Sequence, residues 1–130
     1  MNLIALAIGG SLGALSRHFL GSAVLHWTSW PAHGATFIVN VSGCFAMGFL
    51  ATLMGLKGQW SEGFRLFLFT GFLASYTTFS TFALEGFLLW ETKSWFPMLG
   101  YLLGSVVLGL LALSLGTWLA RWSFGQGVLA

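Results

Sequence analysis

Long hydrophobic stretches alternate along the chain with short polar connections. Four stretches stand out, and they cover roughly residues 3–26, 34–56, 64–90 and 97–120. Each is as long as the ~20 apolar residues that a helix needs to cross the hydrocarbon core of a bilayer. The connections leave no room for a further domain. The pattern predicts an all-α integral membrane protein with four transmembrane helices, built as a single domain over residues 1–130.

Composition agrees with this prediction. Of the 130 residues, 57% are hydrophobic and 6% are charged, and the mean hydropathy is +0.87. Soluble domains carry roughly 25% charged residues, so this composition excludes a soluble fold. All seven tryptophans lie at or near the ends of the stretches, as in the aromatic belts of membrane proteins: Trp27, Trp30, Trp60, Trp90, Trp95, Trp118 and Trp122.

The positive charges orient the chain only weakly. Four spans place both termini and the central loop on one face, which carries Lys57, Arg65 and Arg121, whereas the other face carries Lys93. Because positive residues favour the cytoplasmic side, this bias leans towards cytoplasmic termini. A bias this small permits insertion in both orientations and therefore an antiparallel dimer.

The third hydrophobic stretch contains an unusual polar cluster within the segment TGFLASYTTFSTFAL, residues 70–84. We expect regular helix over 64–72, before the cluster. Six of the seven residues from Ser75 to Thr81 then carry a hydroxyl. Hydroxyls in hydrocarbon need partners, and they compete for backbone groups in ways that bend or open a helix. The cluster predicts a helix that is broken at membrane depth beside a pore or binding site.

Three further polar side chains lie within the spans. Asn40, near the middle of the second span, either hydrogen-bonds another helix or contacts a permeating species. Arg17 continues a stripe of glycines at four-residue spacing that predicts a helix-packing face. An anchor to backbone carbonyls is favoured for Arg17 over an anion attractor. An interfacial or arginine-paired carboxylate is favoured for Glu85 over a group on a substrate path.

The polar lining that remains suits an anion. The sequence shows no catalytic cluster and no metal-ligand spacing, so we expect no enzyme. Hydroxyl and amide protons can replace lost waters, and the edges of aromatic rings are electropositive. Phe79 and Phe82 lie on one helix face, and Ser105 falls on a plausible pore face of the fourth span. A proton-coupled exporter of small cations needs a carboxylate in the first span, which has none. An assembly subunit would not explain the hydroxyl cluster.

The motif GFLASYTTFSTFALE resembles the signature of the Fluc (CrcB) fluoride channels. Four other features agree: GGSLGALSRHFLG, ATFIVNVSGCFAMG, the Tyr101, Ser105 and Gly109 positions, and the length of four spans. The resemblance implies a passive, fluoride-selective ion channel in the cell inner membrane that exports cytoplasmic fluoride and lowers its concentration. It also implies an antiparallel, dual-topology homodimer with two fluoride pathways.

The resemblance also implies a role for particular residues. Main-chain carbonyls of Ala74 and Thr77 would hold a structural Na⁺ at the dimer centre. The fluoride pathway would be lined by Asn40, Phe79, Ser80, Thr81, Phe82 and Ser105. Arg17 and Glu85 match charged family positions near the vestibule or the helix ends.

The chain departs from the family pattern in two places. Ala74 and Ser75 stand where the break usually has two glycines, and alanine resists the positive φ that glycine adopts freely. In the fourth span Ser105 is followed by Gly109 and Leu113, where further hydroxyls are usual.

Overall fold

The computed structural model describes residues 2–58 and 60–125, and the regular structure within these ranges is helical. The first, second and fourth spans are single helices, namely α1 (Asn2–Trp27), α2 (Ala32–Lys57) and α6 (Trp95–Phe124). The third span, Glu62–Glu91, is assembled from several pieces. All four spans are long and apolar enough to cross a membrane, which confirms the predicted fold class. The bounds of a single domain over residues 1–130 stay a prediction.

The third span changes its helical form before it breaks. It starts as α3 (Glu62–Arg65), continues as a π-helix (Leu66–Leu73), and resumes as α4 (Ala74–Tyr76) and α5 (Phe79–Glu91). The prediction of regular helix over 64–72 is therefore wrong in form. In the wider π turn the Ala74 N–H reaches the Phe69 carbonyl, five residues earlier. Such segments are rare and often accompany functional sites.

The π-helix packs against the glycine stripe of α1, which explains where it forms. A Cβ atom on Gly9 would overlap the Phe67 carbonyl, and one on Gly13 would overlap the Phe72 carbonyl. The absence of side chains on α1 therefore admits backbone that bulges towards it. Gly21, at the far end of the stripe, has nothing within 4 Å of its Cβ position. The predicted packing face is confirmed for the first part of the stripe only.

Glycines also bring α2 and α6 into close contact. A Cβ on Gly48 would overlap the Leu113 carbonyl, and one on Gly116 would overlap the Phe45 carbonyl. By contrast, Gly100 has no neighbour within 4 Å of its Cβ position. The glycines of the fourth span therefore serve close packing in its second half, whereas Gly100 and Gly104 in its first half do not.

Few side chains are fully buried, and the largest of these lie beside the break in the third span. Leu73 and Val39 are each 1% exposed, whereas many large apolar side chains on the outer faces are exposed. Lipid tails solvate such side chains, so a membrane protein needs no polar exterior. The small buried core thus fixes α2 against the end of the π-helix.

Candidate functional site

The break in the third span consists of two extended residues, Thr77 and Thr78. Thr77 has φ −81° and ψ 159°, and Thr78 has φ −146° and ψ 119°. The Thr77 hydroxyl donates to the Leu73 carbonyl at 3.2 Å, at the point where the first helical part of the span ends. The Thr78 hydroxyl accepts from the Thr81 N–H at 3.3 Å and caps α5. The hydroxyl cluster therefore breaks the helix where the sequence predicts it.

Asn40 holds the extended backbone in place from α2. Its Nδ2 donates to the Thr78 carbonyl at 3.0 Å, and its Oδ1 accepts from the Thr78 N–H at 2.8 Å. One amide therefore pairs with both polar groups of a residue that no helix satisfies. Of the two roles open at the sequence level, the structure realises the interhelical hydrogen bonds. The same side chain also faces a cavity beside the break.

This cavity, here called the groove, has a volume of about 320 Å³. Asn40, Thr77 and Thr78 line one part of it, and the Phe79 and Phe82 rings lie next to them, 5.8 Å apart between centroids. The remaining wall comes from α2 and α6, and consists of Gly43, Cys44, Met47, Ser105, Val106 and Leu113. The groove thus brings together most of the predicted fluoride pathway.

The groove is open along one side of the chain. Phe79 lines it and is nevertheless 79% exposed. A single copy of the chain therefore does not enclose the path that the groove outlines.

Ser105 is the polar residue of α6 in the groove. Its Oγ is buried and has no hydrogen-bond partner within residues 2–58 and 60–125. An unpaired buried hydroxyl is costly and calls for a partner outside the chain. An anion or a water that reached this hydroxyl from the groove would supply one.

Ser80 and Thr81 are separated from the groove. Both side chains are exposed, and neither belongs to the described groove lining. The Thr81 hydroxyl accepts from the Thr78 hydroxyl at 3.0 Å. The Ser80 Oγ lies 3.5 Å from the Thr78 hydroxyl. Their place on a fluoride pathway stays a prediction, and Thr81 lines a second cavity instead.

The second cavity, here called the vestibule, has a volume of about 470 Å³. Ala14, Arg17, His18, Gly21, Ser22, Leu25, Ala32, Ala35, Thr36, Val39, Thr78, Thr81 and Glu85 line it. Thr78 lines both cavities, so the vestibule and the groove lie next to each other at the break. Arg17 Nη1 lies 3.5 Å from the Thr77 carbonyl, a long contact that agrees with the expected anchor to backbone. Arg17 also lines the vestibule, so its position is compatible with the alternative role of attracting an anion.

Glu85 is held by two hydroxyls and not by an arginine. Its Oε1 accepts from Thr36 at 2.9 Å, and its Oε2 accepts from Tyr101 at 2.7 Å. No ion pair within the described ranges engages this carboxylate. The arginine-paired form of the favoured sequence interpretation is therefore wrong within the described residues, and an interfacial position stays a prediction.

Tyr101 is the residue that reasoning from the separate spans missed. It is 6% exposed, and its ring lies 5.2 Å from Phe82 between centroids while its hydroxyl reaches Glu85. Tyr101 thus joins a groove ring to a vestibule carboxylate. Its position one helical turn before Ser105, on the same face of α6, was the available signal.

The end of α4 offers carbonyl oxygens that suit a hard cation. A continuing helix would direct the Thr78 N–H to the Ala74 carbonyl, but this N–H is donated to Asn40. The Ala74 residue is exposed, and its carbonyl lies at the electronegative end of the helical segment. Neutral oxygens of this kind fit Na⁺, which prefers hard oxygen ligands. The Thr77 carbonyl is also available at the break, although Arg17 approaches it.

Comparisons with known proteins agree with this site. The sequence profile of the family described as CrcB-like protein, Camphor Resistance (CrcB), matches residues 4–117. The Fluoride-specific ion channel FluC of Chloroflexus aurantiacus is 44% identical over 126 residues, which cover 95% of this chain and 98% of the relative. Fluoride-specific ion channel FluC 2 of Nocardia farcinica is 42% identical over 125 residues, covering 95% and 87%. The resemblance predicted from the sequence is confirmed, and the chain belongs to the CrcB family.

Proposed function

We propose that the protein is a passive channel selective for fluoride, which lets cytoplasmic fluoride leave across the inner membrane. Curated relatives at 42–44% identity carry the name of a fluoride-specific ion channel. The observation that carries the proposal is the groove, where an amide, hydroxyls and two phenylalanine rings lie together, with no Asp, Glu, His, Lys or Arg among the described lining residues. These relatives favour a channel over the alternative, a proton-coupled exporter of small cations.

The groove supports the transfer of an anion out of water. Donors such as the Ser105 hydroxyl replace part of a hydration shell, and the electropositive edges of the Phe79 and Phe82 rings add to them. Because the described lining of the groove includes no Lys or Arg, no fixed cation there traps the ion, and conduction needs binding weak enough for release. The negative-inside membrane potential then drives fluoride outward.

The functional unit in this proposal is an antiparallel homodimer of dual topology. Phe79 lines the groove but is 79% exposed, which supports closure of the path by a second copy. A two-fold interface uses the same surface on both copies and would generate two such pathways. The weak bias of Lys57, Arg65 and Arg121 over Lys93 is compatible with insertion in both orientations.

A structural Na⁺ at the dimer centre completes the proposal. The carbonyls of Ala74 and Thr77 from both copies would hold it. When bound, the ion would offset the electronegative ends of the two helical segments that meet there. The exposed position of Ala74 supports this assignment, since the carbonyl remains available to a shared ion.

Efflux from liposomes tests the function directly. Purified protein is reconstituted with fluoride inside, a potassium ionophore clamps the membrane potential, and a fluoride electrode follows release. We expect fluoride to leave and chloride, measured in a matched experiment, to remain. Equal release of both ions, or release only in a proton gradient, would contradict the proposal. Repeating the assay after long exchange of sodium for a large organic cation tests the Na⁺ site, with dimer content by size exclusion as a second readout.

A further inference from the structure

The groove changes from polar to apolar along its length. Near the break, Asn40 lines it from α2 and Ser105 lines it from α6. Farther along the same two helices, the lining residues are Met47 from α2 and Leu113 from α6. Amide and hydroxyl groups donate hydrogen bonds to an anion, whereas a leucine side chain and a thioether have no proton to donate. The two parts of the groove therefore offer an anion different surroundings.

The packing of α2 against α6 places Met47 and Leu113 at the same end of the groove. The Cys44 Sγ lies 3.4 Å from the Cβ position of Gly109, and the Leu113 carbonyl lies where a Cβ on Gly48 would be. A residue later in α2 thus contacts a residue later in α6, which means that the two helices run in the same direction. The change from polar to apolar therefore occurs on both helices together.

The apolar part of the groove is long compared with one hydrogen bond. Met47 lies seven positions after Asn40, and Leu113 lies eight positions after Ser105. At about 1.5 Å of rise per residue, the apolar side chains lie about 11–12 Å beyond the polar ones. After Ser105, the described lining from α6 contains no hydroxyl, amide or charged side chain. An anion in this part has water as its main donor, and loss of that water is costly.

We propose that Met47 and Leu113 form an apolar barrier that limits the rate at which fluoride passes along the groove. The inference rests on the proposed function, because it takes the groove as the fluoride path. Apolar constrictions oppose conduction by excluding water. Donors near the break replace part of the hydration shell there, but the apolar barrier has none. The residues that limit the rate are therefore different from those that bind the ion.

Single-channel recording of the full chain in planar bilayers tests the inference. The current through one channel reports passage alone, because it does not depend on how much protein folds or inserts. Leu113→Ser adds a hydroxyl, and Leu113→Ala opens similar space without one. We expect Leu113→Ser to raise the fluoride current about three- to tenfold, because water offsets part of the gain from a hydrogen bond to an anion. Leu113→Ala should raise it less, since it adds no donor.

A second variant tests the apolar barrier from α2. Met47→Gln keeps an unbranched side chain of similar length and adds an amide donor. We expect it to raise the single-channel fluoride current as Leu113→Ser does. Leu115→Ser is the matched control, because Leu115 lies on the same helix as Leu113, is exposed, and is absent from the described groove lining. This control should leave the current unchanged.

The outcomes separate this inference from the proposed function. A fluoride-selective current that Leu113→Ser leaves unchanged overturns the apolar barrier and leaves the channel intact. Equal gains from Leu113→Ser and Leu113→Ala also overturn it, since space and not a donor would then limit passage. If Leu113→Ser yields no channels, Met47→Gln decides, and an unchanged current overturns the apolar barrier. Absence of fluoride current from the unmodified chain overturns the channel and the inference together.

Discussion

The groove and the vestibule share Thr78 as a lining residue but are built from opposite chemistry. The groove contains an amide, hydroxyls and two phenylalanine rings, whereas the vestibule contains an arginine, a histidine and a glutamate. Charged groups attract ions over several ångströms and suit a wet entrance. Neutral donors act at contact distance and suit a narrow segment where water is lost. Under the proposed function, capture and transit would take place in separate cavities, and substitutions can change one cavity while the other keeps its lining.

The largest effect is expected from the two rings of the groove. Phe79→Ile with Phe82→Ile removes both electropositive ring edges while it keeps apolar volume. We expect fluoride efflux to fall to the level of protein-free liposomes, and size exclusion to show unchanged assembly. Phe87→Ile is the matched control, because Phe87 lies on the same helix, is 56% exposed and is absent from the described groove lining. Normal efflux from the double variant would remove the rings from the pathway.

The next largest effect is expected at Asn40, which belongs to the groove and also holds the break. Asn40→Ala leaves the backbone N–H and C=O of Thr78 without partners, which costs about 1–3 kcal/mol for each buried group. Thermal unfolding in detergent should show a clear loss of stability, and efflux should fall at least about tenfold. Asn40→Asp still accepts from the Thr78 N–H but places a negative charge beside the path.

The two Asn40 variants separate structure from conduction. We expect Asn40→Asp to retain more stability than Asn40→Ala and to conduct no better. Ser42→Ala is the control, because Ser42 lies on the same helix as Asn40. It breaks a 2.7 Å contact between the Ser42 and Tyr76 hydroxyls and leaves Thr78 paired. High fluoride efflux through Asn40→Asp would show that the groove does not depend on neutrality.

The coupling between the two cavities predicts an intermediate effect at Tyr101. Tyr101→Phe keeps the ring beside Phe82 but removes the hydrogen bond to Glu85. Hydrogen bonds to charged groups contribute about 1.5–3 kcal/mol, so stability should fall by up to this amount. Efflux should fall less than tenfold, and Tyr101→Leu, which also removes the ring, should reduce it further. Equal efflux from both variants would show that Tyr101 does not position Phe82.

The regular part of the fold could be predicted from the sequence, because each span is one continuous apolar stretch. The break was predictable as well, since Thr77 and Thr78 cap helices with their own hydroxyls. The π-helix before it was not. It lies against α1 at Gly9 and Gly13, and sequence gives no direct measure of contact between distant segments.

The site was predictable in its residue types and less so in its pairings. Asn40, Phe79, Phe82 and Ser105 were selected separately and converge on the groove. The partners of Glu85 were not predictable, because Thr36 and Tyr101 come from other helices, 49 and 16 residues away in sequence. An isolated carboxylate suggests an arginine partner by charge alone. The structure satisfies it with hydroxyls, which leaves the positive charge of Arg17 unneutralised by direct contact within the described residues.

The smallest effect, and the clearest separation of folding from conduction, is expected at Ser105. Its buried Oγ has no partner within the described part of the chain, so Ser105→Ala removes no hydrogen bond and should leave the unfolding temperature unchanged or slightly higher. If fluoride is the missing partner, the variant loses a hydrogen bond to an anion, which contributes about 1.5–3 kcal/mol. Water in the open groove replaces part of this contribution, so efflux should fall about two- to tenfold. Ser114→Ala, an exposed position on the same helix and outside the described groove lining, should change neither quantity. A destabilised Ser105→Ala with unchanged efflux would mean that this hydroxyl supports the fold and that the groove conducts without it.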